Sequence, residues 1–268
     1  MAYKNENILF IFEGKKTESY IMQIIKELYF KDDKCIFVPY CNNIQSLFNE
    51  LKMDRDLDLV GLLKENETKH PELEKKLEKY NRDEFSEIYL FFDYDIKKPD
   101  KYNKDNLETQ NEKIKEMLEF FDDETENRKL YINYPMVESI RYFKKELPDE
   151  DYYTYTTNLF IGRKFKEDTN NFSHYKNLDL ITSKDKNQQS NWKHIIDLNI
   201  KKANYICSDL NELPTEKTSI NQQTIFKNQL SKYIYPKNRI AILNSFPLFL
   251  YEYFPIDYFT KEILHLNN

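Results

Sequence analysis

Four acidic residues stand just after short apolar segments, at positions where their side chains could do chemistry together. Glu13 follows the first of these segments, and Asp93 and Asp95 follow the third. Glu138 opens the helix expected after the fourth. Carboxylates that lie close together repel, and Mg²⁺ or Mn²⁺ removes that repulsion by taking their oxygens as ligands. The pattern therefore indicates a Mg²⁺ (or Mn²⁺) site, provided that the segments before these residues are neighbouring strands.

Each of these positions also has an ordinary structural explanation. An acid at the end of a strand often caps a helix or is solvated, and acids such as Glu138 are favoured in the first turn of a helix. In an ideal strand, Asp93 and Asp95 would share one face with Tyr94 opposite, whereas a chain that has already left the strand can direct both carboxylates to one site.

The segments that carry these residues predict an α/β fold. Unbroken apolar segments are typical of strands buried on both faces, and here they occupy 8–12, 35–38 and 88–92. Residues 129–133 predict a weaker fourth strand. Helical patterns lie between and after them, at 17–28, 44–51, 71–81, 106–121 and 136–143. Alternating strands and helices predict an open parallel sheet flanked by helices, whose carboxyl ends meet at one ligand-binding edge.

The pattern changes after residue 148. Residues 149–187 are polar and irregular, and two helices are expected at roughly 189–207 and 219–234. The sequence therefore predicts an α/β domain at 1–148 and a smaller, mostly helical C-terminal region at 149–268 that packs on it.

Composition excludes several classes of site. The three glycines stand apart, so a dinucleotide fingerprint and a Walker loop are both absent, and Gly14 is expected where the first strand turns tightly into a helix. The net charge of -6 divides into -9 for residues 1–150 and +3 for residues 151–268, which argues against a globally basic nucleic-acid coat. Three cysteines without a CxxC pair fit a reducing compartment. With no apolar run of about 18 residues and no signal-peptide pattern, we expect a cytoplasmic protein without a membrane partner.

Three segments resemble motifs of RloB-like and OLD-type TOPRIM proteins, a family of bacterial anti-phage and restriction-linked systems. Phe12–Glu18 resembles their Glu-Gly-x-x-Thr-Glu element, and Phe91–Asp95 resembles their apolar strand ending in Asp-x-Asp. Asn133–Ser139 is similar to their Asn-Pro-x-x-Glu segment, although Tyr134 interrupts the Asn-Pro pair. The resemblance covers roughly residues 8–146.

The resemblance implies a TOPRIM-like sheet and a Mg²⁺-dependent nuclease that cleaves phosphodiester bonds of DNA or RNA as an effector of phage defence. A two-metal arrangement would then activate water and stabilise the departing oxygen. The implied roles are as follows: Glu13 as metal ligand or general acid/base, Asp93 and Asp95 as metal ligands, Glu138 as second-metal or water-orienting ligand, and Lys15, Lys16 and Arg141 as phosphate contacts.

The same resemblance suggests the partners. These are a nucleic acid substrate, an ABC-type ATPase that would supply the energy coupling the chain lacks, and a second copy of the chain. Two other interpretations stay open. The chain could be a catalytically silent TOPRIM-like sensor or binding subunit that works with a partner ATPase, or a non-enzymatic α/β adaptor that binds no divalent metal. For Lys15 and Lys16, the alternative to phosphate contact is an ordinary exposed surface.

Overall fold

The computed structural model of the chain has an α/β fold with a five-stranded, mostly parallel sheet flanked by helices. The coarse fold class expected from the sequence is therefore confirmed. The structure describes residues 7–30, 34–53, 58–69, 75–99, 105–125, 128–182 and 187–265.

The strands of the large sheet are β1 (Asn7–Phe12), β2 (Lys34–Pro39), β3 (Phe85–Asp93), β4 (Asp122–Asp123) and β5 (Arg128–Asn133). Their order in the sheet is β2-β1-β3-β5-β4. β1 lies in the sheet between β2 and β3 and runs parallel to both, whereas β4 is a short antiparallel partner of β5. The four strands expected from apolar segments are thus present, and the first and third are neighbours.

Long apolar runs form these strands because the sheet is covered on both faces. Leu9, Phe10, Ile11 and Phe12 are all fully buried, which leaves no solvent-facing alternation in β1. Aromatic rings link neighbouring strands: the Phe10 ring lies 5.5 Å from that of Tyr89 in β3 and 5.8 Å from that of Phe37 in β2.

The described helices include those expected after the first three strands. They are α1 (Thr17–Tyr29), α2 (Ile44–Met53), α3 (Leu59–Lys69), α4 (Leu107–Phe120), α5 (Lys164–Phe172), α6 (Asp179–Thr182), α7 (Asn187–Ser208), α8 (Gln222–Asn228), α9 (Tyr235–Lys237), α10 (Ser245–Tyr253) and α11 (Ile256–Tyr258). Two segments are π-helical, Gln229–Ile234 and Phe259–Ile263, and the first of them joins α8 to α9.

Two expected helices differ in the structure. The helix predicted at 71–81 is not found over residues 75–81, which form a turn, and 71–74 lie outside the described residues. A helix, α3, lies earlier in the chain, where Leu59, Val60 and Leu63 are all fully buried, whereas Leu77 is the buried apolar side chain of 75–81. The helix predicted at 136–143 is a single 3₁₀ segment, Val137–Arg141, whose five residues are all buried.

The chain divides into two compact units. The first contains Met1–Phe92 and Glu116–Leu130, and the second contains Asp93–Lys115 and Tyr131–Asn268. This division differs from the expected boundary after residue 148, because 93–115 and 131–148 belong with the C-terminal residues. Hydrogen bonds join the end of β5 and the residue after it to Leu243 and to Ser245, the first residue of α10, which accounts for the place of 131–148 in this unit.

Most of the described residues of the second unit are helical. A two-stranded antiparallel sheet of β6 (Thr156–Asn158) and β7 (Arg239–Ala241) accompanies its helices. Trp192, the single tryptophan of the chain, is fully buried in α7. The ring of Tyr131 in β5 packs against Phe249 of α10, and the Tyr131 hydroxyl donates to the Glu252 carboxylate at 2.7 Å. Among the residues that the structure describes, no helix is both long enough and apolar enough to span a membrane.

Candidate functional site

Glu13 is held in the plane of the sheet by its own main chain. Its N–H donates to the carbonyl of Phe91 in β3 at 3.2 Å, and its carbonyl accepts from the N–H of Cys41 at 3.1 Å. The register just before it pairs Phe12 with Phe91 in β3 and with Pro39 in β2. Glu13 is therefore fixed at the carboxyl end of β1, with a half-buried side chain.

Gly14 accommodates a neighbouring carboxylate rather than an unusual backbone angle. Its φ lies outside the left-handed region, in contrast to Gly162, whose φ is 50°. A Cβ at residue 14 would lie 2.8 and 2.9 Å from the two carboxylate oxygens of Glu18, and the Gly14 N–H donates to Glu18 Oε1 at 3.2 Å. Glu18 is only 5% exposed. Gly14 lies in the bend between β1 and α1, where the sequence places it, and the close approach of Glu18 disfavours a Cβ at this position.

Lys15 and Lys16 follow in the bend between β1 and α1, and both side chains are exposed. Their contact with phosphate stays a prediction.

Asp93 and Asp95 lie in a tight bend that ends β3. The N–H of Asp95 donates to the carbonyl of Asp93 at 2.9 Å, a two-residue spacing typical of a γ-turn. Asp93 is half-buried and is the last residue of β3, whereas Asp95 is exposed and lies beyond the strand. Because the strand ends at Asp93, the alternation of side chains between the two faces of the sheet does not determine where the Asp95 carboxylate points relative to that of Asp93.

Tyr94, the residue between the two aspartates, stabilises this bend through its main chain and its side chain. Its N–H donates to the carbonyl of Asn133 at 2.9 Å, and its hydroxyl donates to Asn111 Oδ1 at 2.6 Å. Its ring lies 5.5 Å from that of Tyr134. Burial raises the pKa of Tyr94 well above its ordinary value, so the phenol stays neutral and acts as a hydrogen-bond donor. The residue between the two aspartates is therefore structural.

Asn133 connects the bend to the C-terminal residues. Its Nδ2 donates to Asp93 Oδ1 at 3.1 Å. Its Oδ1 accepts from both the N–H and the hydroxyl of Ser245, at 3.1 and 2.8 Å. Next to it, Tyr134 and Leu243 exchange two backbone hydrogen bonds of 2.8 and 2.9 Å. These contacts place the end of β5 with the start of α10, which is why the unit boundary does not fall after residue 148.

Glu138 and Arg141 lie in the buried 3₁₀ segment, with exposures of 7% and 4%. Glu138 accepts from Lys166 Nζ at 2.8 Å. The Arg141 guanidinium donates to Asn170 Oδ1 at 2.6 Å and to the Tyr175 carbonyl at 3.5 Å. Burial lowers the pKa of Arg141, although the nearby Glu138 opposes that shift. Both side chains already have protein partners, and their roles towards metal and phosphate stay predictions.

The acidic residues predicted from the sequence to form the site are divided between the two units. Asp93 and Asp95 share one bend, Glu138 lies in the same unit, and Glu13 belongs to the first unit. Among the residues that the structure describes, no group of three or more His, Cys, Asp or Glu side chains is arranged to hold a metal ion. The carboxylate oxygens present are the donor type that Mg²⁺ prefers, so the chemistry of the donor set fits this ion.

The sequence predicts no role for three residues of this region: Glu18, Asn133 and Ser245. Glu18 and Asn133 lie within the motif segments, whereas Ser245 lies outside them. The sequence signal for Glu18 is the glycine four residues before it, at the end of the strand. Ser245 gives a weaker signal: it follows Asn244, which caps α10 by accepting from the Phe246 N–H at 3.1 Å.

Comparison of the chain with models of protein families, with curated proteins and with solved structures finds no match.

Proposed function

We propose that the chain is a Mg²⁺-dependent nuclease whose metal is held at the carboxyl end of β3. The observation that carries the proposal is the bend there, where Asp93 ends a buried strand and Asp95 lies just beyond it. The parallel pairing of β3 with β1 supports it, since ligands of open α/β sheets bind at the carboxyl ends of parallel strands.

The residues of the chain would divide the work as follows. Asp93 and Asp95 would hold the ion, and Glu13 would act as ligand or general acid/base. Bound Mg²⁺ would supply Lewis-acid stabilisation of the phosphodiester oxygens and a more acidic water. Glu138, with its exposed ion-pair partner Lys166, would orient water or hold a second ion. DNA or RNA as substrate, a role in phage defence and cooperation with an ABC-type ATPase belong to the same proposal and rest on the family resemblance alone.

The test is a cleavage assay on the full chain with Mg²⁺ or Mn²⁺ and with DNA, tRNA and rRNA as substrates. We expect nicking or degradation of at least one nucleic acid, and loss of that activity in Glu13→Gln and in Asp93→Asn. Asp257→Asn is the matched control, because it removes an exposed carboxylate of the second unit. Full activity in both site variants would overturn the assignment.

A second function is favoured by one observation, the absence of a three-ligand metal group among the described residues. It is that of a catalytically silent TOPRIM-like sensor or binding subunit that works with a partner ATPase. This function predicts no cleavage of DNA, tRNA or rRNA, even when the ATPase is added. The two proposals therefore differ in the same assay.

A further inference from the structure

The side chain of Asn133 has an orientation fixed by its surroundings. Its Oδ1 faces two donors, the N–H and the hydroxyl of Ser245, at 3.1 and 2.8 Å. The hydroxyl could also accept, but the Ser245 N–H can only donate. An amide turned the other way would direct its NH₂ group at that N–H and its oxygen at the Asp93 carboxylate, so a fully buried side chain would lose both hydrogen bonds. The nitrogen of Asn133 must therefore point in the opposite direction, towards Asp93.

That direction gives Asp93 a fixed donor. Nδ2 of Asn133 lies 3.1 Å from Asp93 Oδ1, and both Asn133 and Ser245 are completely buried. A hydrogen bond from a neutral donor orients a carboxylate without neutralising its charge, which a lysine or arginine in the same place would do. Metal ligands are commonly held in this way by groups that do not touch the ion themselves.

Ser245 is itself held firmly. It is the first residue of α10, and the Asn244 before it caps that helix. The main-chain N–H of Asn244 donates to Asn199 Oδ1 at 3.0 Å, and its side-chain amide donates to the Val137 carbonyl at 3.2 Å and to Ser139 Oγ at 3.0 Å. The donors that fix Asn133 thus belong to a buried network rather than to a loose surface turn.

We propose that Asn133 is a positioning residue for the Asp93 carboxylate and that Ser245 sets its orientation. The inference rests on the proposed function in one respect, because it takes Asp93 to be a ligand of a divalent cation. It assigns the start of α10 a role at the candidate site, in addition to its packing.

The first experiment measures Mn²⁺ binding to the full chain by calorimetry. We expect Ser245→Ala to weaken binding about 5- to 10-fold, which corresponds to one neutral hydrogen bond. Ser245→Thr keeps the hydroxyl and should restore the affinity to within about twofold. Thr169→Val is the matched control, because it removes another fully buried hydroxyl, which donates to the Phe165 carbonyl in α5. That variant should lose thermal stability with unchanged Mn²⁺ affinity.

A second measurement needs no metal. In ¹H–¹⁵N spectra, the side-chain amide signals of Asn133 should be protected from exchange with solvent, because Nδ2 donates to Asp93 Oδ1. Asp93→Ala, which removes that acceptor, should shift these signals and reduce their protection, and Ser245→Ala should also reduce the protection. Asn133 signals that exchange freely, or that are unchanged in Asp93→Ala, would overturn the positioning role.

The two experiments separate the proposals. If Mn²⁺ binds and Ser245→Ala changes only the melting temperature, the positioning role is wrong and the metal site stands. If the Asn133 signals follow Asp93 but no Mn²⁺ binds, the hydrogen-bond chain stands and the proposed function falls.

Discussion

Replacing Gly14 with alanine tests the explanation given for that glycine. The new Cβ would lie 2.8 and 2.9 Å from the carboxylate oxygens of Glu18, closer than carbon and oxygen normally approach, so the carboxylate must move by a few tenths of an ångström or more. The movement breaks the 3.2 Å hydrogen bond from the Gly14 N–H. Such a bond contributes about 0.5–1.5 kcal/mol.

The opposing effect comes from the unfolded chain. Because the φ of Gly14 lies outside the left-handed region, alanine fits the backbone there and lowers the entropy of the unfolded state, a gain of about 0.4–1 kcal/mol. We therefore expect Gly14→Ala to destabilise the protein by no more than about 1 kcal/mol. In a Glu18→Ala background, where the carboxylate is gone, the same change should stabilise it by about 0.5 kcal/mol.

The assay is urea unfolding followed by far-ultraviolet circular dichroism on the four proteins of this double-mutant cycle. The coupling free energy between positions 14 and 18 should be about 1 kcal/mol. An equal effect of Gly14→Ala in both backgrounds would refute the argument, since it would show that Glu18 does not occupy the space beside the glycine. A large loss in both would indicate a backbone requirement instead.

Two further predictions concern buried polar groups. Lys202 is fully buried and donates to the carbonyls of Tyr152 and Tyr155 at 2.8 and 2.7 Å, so Lys202→Met should cost about 2 kcal/mol or more, read from the fluorescence of Trp192 during unfolding. Lys201→Met, which breaks only a partly exposed ion pair, should cost less than about 1 kcal/mol, and equal losses would contradict the account. Burial raises the pKa of three tyrosines to about 12: Tyr40, Tyr233 and Tyr251. The folded state binds these protons more tightly than the unfolded chain, whose tyrosines titrate near 10, so stability should fall as pH rises from 10 to 12, by up to about 3 kcal/mol for each residue. Urea unfolding at a series of pH values measures this, and a free energy of unfolding that rises from pH 10 to 12 would contradict the sign.

Much of the sheet could be predicted because its signals are local. A strand buried on both faces needs an unbroken apolar segment, and β1, β3 and β5 each have one. Helix periodicity likewise located α1, α2 and α4. Periodicity gave the wrong element at 137–141, which is a 3₁₀ segment rather than an α-helix. All five of its residues are buried, so it has no exposed polar face of the kind that an amphipathic helix shows. The charged segment 75–81 has helical spacing but too little apolar surface to be stabilised by packing.

The candidate site could be predicted only in part, because its supporting contacts join distant positions. Asp93 and Asp95 were identified from their place after a strand. The bend between them depends on Tyr94, whose N–H partner, Asn133, lies on β5. The donor to Asp93 is 40 residues away in sequence, and the residue that orients that donor is a further 112 residues away. No short-range pattern carries such information, so the contribution of Ser245 could be recognised only from the structure.

The separation of 112 residues between Asn133 and Ser245 also has a consequence for biosynthesis. A ribosome that adds about 5–20 residues per second needs roughly 6–22 s to proceed from the first of these residues to the second. During that interval, the nascent chain already contains Glu13, Asp93 and Asp95, while the donors that fix Asn133 do not yet exist. A translation product that stops before Ser245 would therefore carry every acidic residue of the candidate site without the group that orients its central carboxylate.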